Sequence, residues 1–458
     1  MPCCVIQYEG DEVEIPYPPA SAGQGSGEGQ TASGRVEGRA FVHGKFVDAL
    51  RKKAASAPNC LLVEGTVKDL VSCDNSTRVI GVVAALKPSA ANPTPAPTTT
   101  LYAPLTIIAD GCFSRFRPDN APTPVTRSHF VGLVLEDAEL PVPKHGNVVL
   151  GSQHGPVLLY QIGTHETRML VDVKGKLPSI GDGSLLRHLE GLVPHLPPSL
   201  RPSVTASLER SQREGGTHRL RTMPNSWLPA RQQGAPGQRE GVIVVGDAWN
   251  MRHPLTGGGM SVALADVGHL VRILASSKAL PDLEDWEAYA GQIASWHWSR
   301  KKLASVVNVL SVALYDLFGA KGASLRSPSF TLLSPLADLL FLAPTDENLS
   351  VLREGCFKYF QLGGTALSGP VSLLSALAPK PLLLAYHFFF VAFYSIWCMF
   401  FHPRPVYARE SSRPLPPFTS HMLTPLTALL QRATSRSPPR KAARLSAGQS
   451  LRRSSTRP

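Results

Sequence analysis

The 458-residue chain carries 46 Lys and Arg against 34 Asp and Glu, a formal net charge of +12, and 7 cysteines. Eleven of the basic residues, against Glu410 alone, fall from Arg404 onward, so the tail holds about +10 and the body is near neutral; a nucleic-acid-binding body would carry its basic patch on the fold, and that class is excluded. The cysteines show no Cys-x-x-Cys or His/Cys ligand spacing, which argues for a reducing compartment and against a structural zinc, and the length allows two or three domains.

The amino terminus opens MPCCVIQYEGDEVEIPYP, a stretch that does not read as a signal peptide. Gly27-x-Gly29-x-x-Ala32 fits a dinucleotide-binding glycine pattern only by spacing. No strand precedes it and no apolar helix follows, so it reads as a flexible loop. Gly38 to Lys53 reads as a helix with Phe41, Phe46, Val47 and Leu50 on one face and Lys45, Arg51, Lys52 and Lys53 exposed. Val63 to Val71 and Val79 to Ala85 read as paired strands, and Pro88 to Thr100 as an exposed Pro/Thr/Ala loop.

Leu105 to Ala109 is a short buried strand ending in Asp110-Gly111. A carboxylate therefore sits at a strand's carboxyl end, and a residue without a side chain follows it. An Asp that caps a turn is the plain alternative. From about Thr126 the pattern becomes short strands separated by turn residues: His129 to Leu135, Asn147 to Ser152, Val157 to Gly163 and Arg168 to Val173. This predicts an antiparallel sheet in a separate domain. Tyr160 lies in that sheet, either as a pocket wall or as an ordinary sheet tyrosine. Leu185 to Leu208 has helical periodicity broken by prolines, and Arg219 to Ala230 leads back toward the first domain.

The stretch Gly241 to Val271 organises the rest. Val242 to Val245 reads as a buried parallel strand, and it stops at Gly246-Asp247. Ligands of open α/β sheets bind at that edge. Pro254-Leu255-Thr256 and three glycines, Gly257, Gly258 and Gly259, then lead through Met260 into an amphipathic helix starting near Ser261. The glycines expose backbone N–H groups at the positive helix end, a place suited to an anionic ligand. A ligand-free glycine turn is the competing reading. Beyond it the chain is helical and apolar: Trp296 to Phe318, Asp346 to Tyr359, Pro370 to Ala378, with a Ser/Pro-rich insert over Gly319 to Ser334. Leu382 to Phe401 is a 20-residue apolar, aromatic-rich run without formal charge apart from His387. It can span a bilayer or lie in one leaflet. The basic tail beside it suits the anionic cytoplasmic face and reads as disordered.

Together, IIADGCFSRFR and VVGDAWNMRHPLTGGGM resemble the two downstream flavin motifs of FAD-dependent, aromatic-hydroxylase-like monooxygenases. GRAFVHGKFVDALRK, HFVGLVL, LRTMPNSWLP, VVNVLSVALYDLF and CFKYFQLGG, with GDAWNMRHPLTGGGM itself, resemble one family within them, the squalene monooxygenases (squalene epoxidases). The resemblance runs from about Glu12 to Phe401. It implies an α/β (α+β) fold: a Rossmann-like FAD-binding domain, truncated at its amino terminus, with an inserted antiparallel-sheet substrate domain and C-terminal membrane-associated helices. The expected division is 1–125 for the remaining FAD-binding part, 126–230 for the substrate domain, 231–280 for the second FAD-binding segment, 281–401 for the helical region and 402–458 for the tail.

The same resemblance implies epoxidation of squalene to (S)-2,3-epoxysqualene in sterol biosynthesis. Oxygen, reduced FAD and NADPH-derived electrons from NADPH–cytochrome P450 reductase would be used at the cytoplasmic face of the endoplasmic reticulum membrane, in contact with membrane lipid. It implies FAD contacts from Arg51, Val67, Asp110, Gly111, Asp247, Gly257, Gly258, Gly259 and Met260, and a substrate pocket of Tyr160, Pro254, Leu255 and Phe357. No metal and no catalytic side chain are expected, because the flavin carries the chemistry. In this family an anchoring segment and a βαβ unit precede the Ile15–Pro18 region, so the sequence is expected to be a fragment. Two alternatives stand beside this reading: a flavin-free membrane protein without activity, and another FAD-dependent prenyl-chain oxidoreductase.

Overall fold

The structure is a computed structural model that describes residues 3–8, 11–16, 38–88, 97–118, 121–151, 154–213, 220–275, 282–319, 346–377 and 380–401. The glycine pattern at 27–32, most of the 88–100 loop, nearly all of the Ser/Pro-rich insert and the basic tail lie outside these residues.

Seven strands form the larger sheet: β1 (Cys3–Tyr8), β2 (Asp11–Pro16), β7 (Val125–Glu136), β8 (Gly146–Leu150), β9 (Val157–Gln161), β10 (Glu166–Lys174) and β11 (Arg221–Trp227), in the order β11-β7-β10-β9-β8-β1-β2. Alternation sets its two faces, as the period of two along a strand requires. On one face Val131, Leu133 and Leu135 of β7, Val157 and Leu159 of β9, and Met169, Val171 and Val173 of β10 are buried. Helix α2 (Ser184–Leu192) covers them with Leu185, Leu189 and Leu192, one helical stripe, and α3 (Arg201–Arg213) adds Val204 and Leu208.

Residues 3–16 correct the expected domain division. They belong to this sheet and not to the flavin-side remainder of 1–125. They also make the sheet mixed, because β1 runs parallel to β8, with Cys4 opposite Gly146 and Tyr8 opposite Leu150. The hairpin β1–β2 is local, but the pairing of β1 with β8 spans the chain between them, and no local pattern announces it.

The second region contains β3 (Gly65–Ser72), β4 (Val79–Leu86) and β5 (Thr99–Tyr102), an antiparallel three-stranded sheet, and the parallel pair β6 (Thr106–Ile108) and β12 (Val242–Val244). Helix α1 (His43–Ala55) precedes them, and α4 (Gly259–Leu274) follows β12. Ile108, Val242 to Val245, Trp249, Leu270 and the Trp286, Tyr289, Ile293 and Trp296 side chains of α5 (Trp286–Gly319) form its core. Several other apolar side chains of this region face outward. Helix α1 buries no residue, Ile107 is 52% exposed, and Leu264 and Val271 of α4 are 55% and 57% exposed.

Helices α6 (Asp346–Gln361), α7 (Gly364–Leu374) and α8 (Pro381–Phe401) pack with the end of α5 against the other face of the large sheet. That interior joins Ile6, Val13 and Ile15 of the hairpin and Leu150 of β8 to Phe318, Phe357, Phe360 and Val371. Among the described helices α8 alone is long and apolar enough to cross a membrane, over Pro381–Cys398.

Candidate functional site

Strands β6 and β12 are neighbours in register, with Thr106 opposite Val242 and Ile108 opposite Val244. Their carboxyl ends therefore deliver Asp110-Gly111 and Gly246-Asp247 to the same edge. Gly111 (φ +83°) and Gly246 (φ +62°) turn the chain there in the left-handed region, and the space where a β-carbon would stand is open at both. Asp247 is exposed to solvent at this edge. Burial raises its carboxyl above the ordinary aspartate range, while Arg252 and Arg117 pull it back down. Among the described residues Asp247 makes no hydrogen bond within the chain, so its acceptor oxygens are available to a ligand hydroxyl.

Arg117 fastens the two turns together. Its Nε donates to the Ala248 carbonyl at 2.9 Å, and its Nη2 and Nη1 donate to the carbonyls of Cys112 at 2.7 Å and Ser114 at 2.8 Å. The electrostatics agree: Asp247 helps push the Cys112 thiol up, which requires the turns to be close.

The turn after Asp247 is fixed by a buried polar network. Asn250 Oδ1 accepts from Arg252 Nη2 (2.8 Å), Arg300 Nη2 (3.0 Å) and Asn308 Nδ2 (3.2 Å). Arg300 also forks onto Asp266 of α4, at 2.8 and 2.6 Å, and lies 4.4 Å over the Trp249 ring. Burial lowers Arg252 to about 10, against the pull of Asp247. A planar guanidinium bound by a bidentate carboxylate holds α4, α5 and this turn in one geometry.

Gly257 (φ +63°) then reverses the chain. At Gly258 a β-carbon would sit 2.6 Å from Val307 Cγ1 of α5, so only glycine lets the turn lie against that helix. Helix α4 begins at Gly259, two residues before the expected start, and Met260 is exposed at its first turn. Pro254 opens a 3-10 turn whose Leu255 packs into the same apolar cluster as the buried Phe357.

The structure thus brings Asp110, Gly111, Asp247 and the Gly257–Met260 turn to one side, and Leu255 with Phe357 to the neighbouring interior. Tyr160 shares the β9 face of Leu158, opposite the Val157 and Leu159 core face; Leu158 pairs with Val148, which lies against the Phe357 cluster. Burial raises the Tyr160 hydroxyl, with Arg168 opposing. Arg51 stands exposed on α1 and Val67 exposed on β3, neither brought against the other candidates by any recorded contact. Sequence reasoning passed over Arg117, Arg252, Asn250, Asp266 and Arg300. Only the charge of two arginines inside otherwise apolar motif segments could have drawn attention to them. Among the described residues no His, Cys, Asp and Glu group could hold a metal ion.

Comparison with known proteins identifies the family. The squalene epoxidase family model matches residues 102–333 and 330–411. "Squalene epoxidase erg1" of Aspergillus fumigatus is 42% identical over 372 residues, covering 80% of this chain and 68% of that protein. The Mus musculus "Squalene monooxygenase" is 41% identical over 400 residues, covering 86% of this chain and 59% of that protein. The chain therefore spans about three fifths to two thirds of the length of these relatives. Among solved structures, that of the flavin-dependent brominase Bmp2 shares the fold, with a TM-score of 0.54, 11% identity, and coverage of 86% of this chain and 82% of that one. The paired strand ends, the glycine turn, Leu255 and Phe357 lie within the matched residues, and the chain belongs to the squalene epoxidase family.

Proposed function

We propose that this chain forms the flavin-facing and substrate-facing body of an enzyme that epoxidises squalene to (S)-2,3-epoxysqualene. The observation that carries the reading is the juxtaposition of an open, carboxylate-bearing strand edge with an apolar interior. FAD, when bound, supplies the oxygen-transfer chemistry, with O₂ as co-substrate and electrons from NADPH through NADPH–cytochrome P450 reductase. Asp247 accepts hydrogen bonds from a ribose hydroxyl, and Asp110-Gly111 lies along the ribityl and pyrophosphate portion. Arg51 pairs with the pyrophosphate, Val67 lies against the adenine end, and the Gly257–Met260 turn offers N–H groups at a helix start. Tyr160, Pro254, Leu255 and Phe357 wall the polyisoprenoid and exclude water from the reacting double bond. No side chain is required to transfer a proton to the alkene.

Helix α8 carries exposed Tyr386, Phe390, Phe393, Trp397 and Phe401 on its outer side, while Leu384 and Cys398 face the protein. That division supports a helix lying in one leaflet of a membrane; the reading puts that membrane at the cytoplasmic face of the endoplasmic reticulum, with squalene entering from the lipid.

A second reading is favoured by the outward-facing apolar side chains of α1, β6 and α4: residues 1–458 by themselves bind no FAD and do not turn over squalene, and a further polypeptide must cover that face. One experiment separates the two. The purified chain is mixed with FAD, its bound-flavin absorbance is read after desalting, and squalene turnover is measured with NADPH and reductase. A retained flavin peak with product supports the first reading for the chain alone. Loss of flavin without product supports the second. Bound flavin that oxidises another prenyl chain and not squalene would reject squalene as substrate.

A further inference from the structure

His253 sits between the motif turn and the large sheet, and its ring is 4% exposed. On the sheet side, Nε2 lies 3.2 Å from Ser128 Oγ of β7. Ser128 Oγ donates to Asp172 Oδ1 of β10, and Asn225 Nδ2 of β11 donates to both Ser128 Oγ (2.9 Å) and Asp172 Oδ1 (3.0 Å). On the turn side, Nδ1 accepts the Leu255 backbone N–H at 3.2 Å. The ring stacks on Tyr315 of α5 with centroids 3.9 Å apart.

Serine, histidine and aspartate in contact suggest a nucleophile, but the hydrogens run the wrong way. Ser128 has a single hydroxyl hydrogen, and the carboxylate of Asp172, which only accepts, takes it. The serine oxygen can then only accept from His253, so Nε2 carries a hydrogen. Nδ1 must be bare to accept from Leu255. Both ends of the ring independently require the same neutral tautomer. Ser128 is fully buried, Asp172 and Asn225 nearly so, and no substrate reaches them. The cluster is a tie.

We propose that His253 is a positioning residue: as a neutral Nε2–H imidazole it ties the Pro254–Gly259 turn, with Leu255, to Ser128 and Asp172 of the seven-stranded sheet and so sets how the flavin-side turn meets the apolar substrate wall. The catalytic consequence rests on the function proposed above; the tie itself does not.

The test uses the full chain and two isosteric variants. His253→Gln keeps an N–H donor near the Nε2 position and gives up the acceptor for Leu255. His253→Asn keeps an acceptor near Nδ1 and gives up the link to Ser128. Hydrogen exchange of the 250–262 backbone is read without added flavin, with α3 as internal control. In His253→Asn, exchange at Gly257 and Val262, whose amides bond to Pro254 and Gly258, is expected to rise about tenfold or more while α3 is unchanged, and in His253→Gln the rise is confined to Leu255. Ser128→Ala, which leaves the imidazole in place, reproduces the asparagine pattern and carries the test where His253→Asn does not fold. Indistinguishable exchange in the glutamine and asparagine variants, or wild-type exchange in Ser128→Ala, overturns the tie.

In squalene turnover, His253→Asn is expected to lower kcat about tenfold with KM for squalene little changed, because it keeps the acceptor that holds Leu255 in the wall while the Gly257–Gly259 part of the turn shifts, and His253→Gln recovers most of it. A rise in KM with kcat unchanged overturns the positioning role. Should the chain turn over no squalene at all, the proposed function fails, and the exchange measurement still decides the tie.

Discussion

The two halves of the molecule are held together by different means. The seven-stranded sheet has an apolar layer under α2 and α3 on one face, and on the other an apolar cluster of hairpin and C-terminal-helix side chains at the β8–β1–β2 end, with the Ser128–Asp172–Asn225 polar group at the β7–β10–β11 end. The region around β6 and β12 has a core of its own behind those strands, but α1, Ile107 and the outer side of α4 remain open, and buried charges join α4, α5 and the motif turn. Apolar layers make a region self-sufficient. A region held by a few oriented polar contacts keeps one exact turn geometry at the cost of sensitivity to single substitutions.

Four measurements sharpen or break that contrast. The largest effect is expected for Asp266→Leu, which leaves Arg300 buried without its carboxylate. The loss should be about 3–5 kcal/mol in urea unfolding, and most of it should return when Arg300→Met is added. A small loss in the single variant would mean that the network does not hold this side. Next, Leu159→Ala in the sheet core should cost about 2–5 kcal/mol, whereas Leu264→Ala on α4 should stay within about 0.5 kcal/mol. Equal costs would show that α4 is covered in solution.

Third, Asp247→Ala should weaken FAD retention by roughly 10- to 100-fold, the worth of one hydrogen bond to a charged acceptor. Unchanged flavin content in a preparation that binds FAD would remove Asp247 from the site. The smallest effect concerns acid. His297, beside Trp249, is lowered to about 4 by burial and by Lys301 and Arg300. The unfolded chain takes up that proton near the usual histidine value of about 6.5, the folded chain only near 4, so stability present above pH 6.5 is lost as pH falls toward 4. His297→Gln should flatten that part of the pH–stability curve, and an unaltered slope would assign it to other groups.

Much of this was legible in the residues. The β-branched runs at Leu105 to Ala109 and Val242 to Val245 end in Asp-Gly and Gly-Asp, and their strands do lie side by side in parallel. The alternation after Thr126 gave the strands of the inserted sheet, because period two survives wherever one face is buried. Sequence reasoning gave residues 3–16 to the wrong region, since the partner of β1 is named by tertiary packing and not by anything near it. It also passed over Arg117, Asn250 and Arg300, whose roles depend on where three separate segments meet. The nearness of Leu255 and Phe357 was implied by family resemblance alone. Their spacing in the chain carries no such information.

The parallel pairing of β1 with β8 also orders events during synthesis. Cys4 leaves the ribosome about 140 residues ahead of Gly146, the residue it must face. At ordinary elongation rates that interval is on the order of ten seconds, far longer than a hairpin needs to form. The β1–β2 hairpin must wait as a two-stranded unit, its Val5, Ile6, Val13 and Ile15 side chains uncovered and one strand edge unpaired. Its apolar side stays open until Phe357 and Val371 emerge still later. These two strands are made long before they are buried, and a nascent chain stalled between Tyr8 and Gly146 is a form exposed to chaperone capture or aggregation.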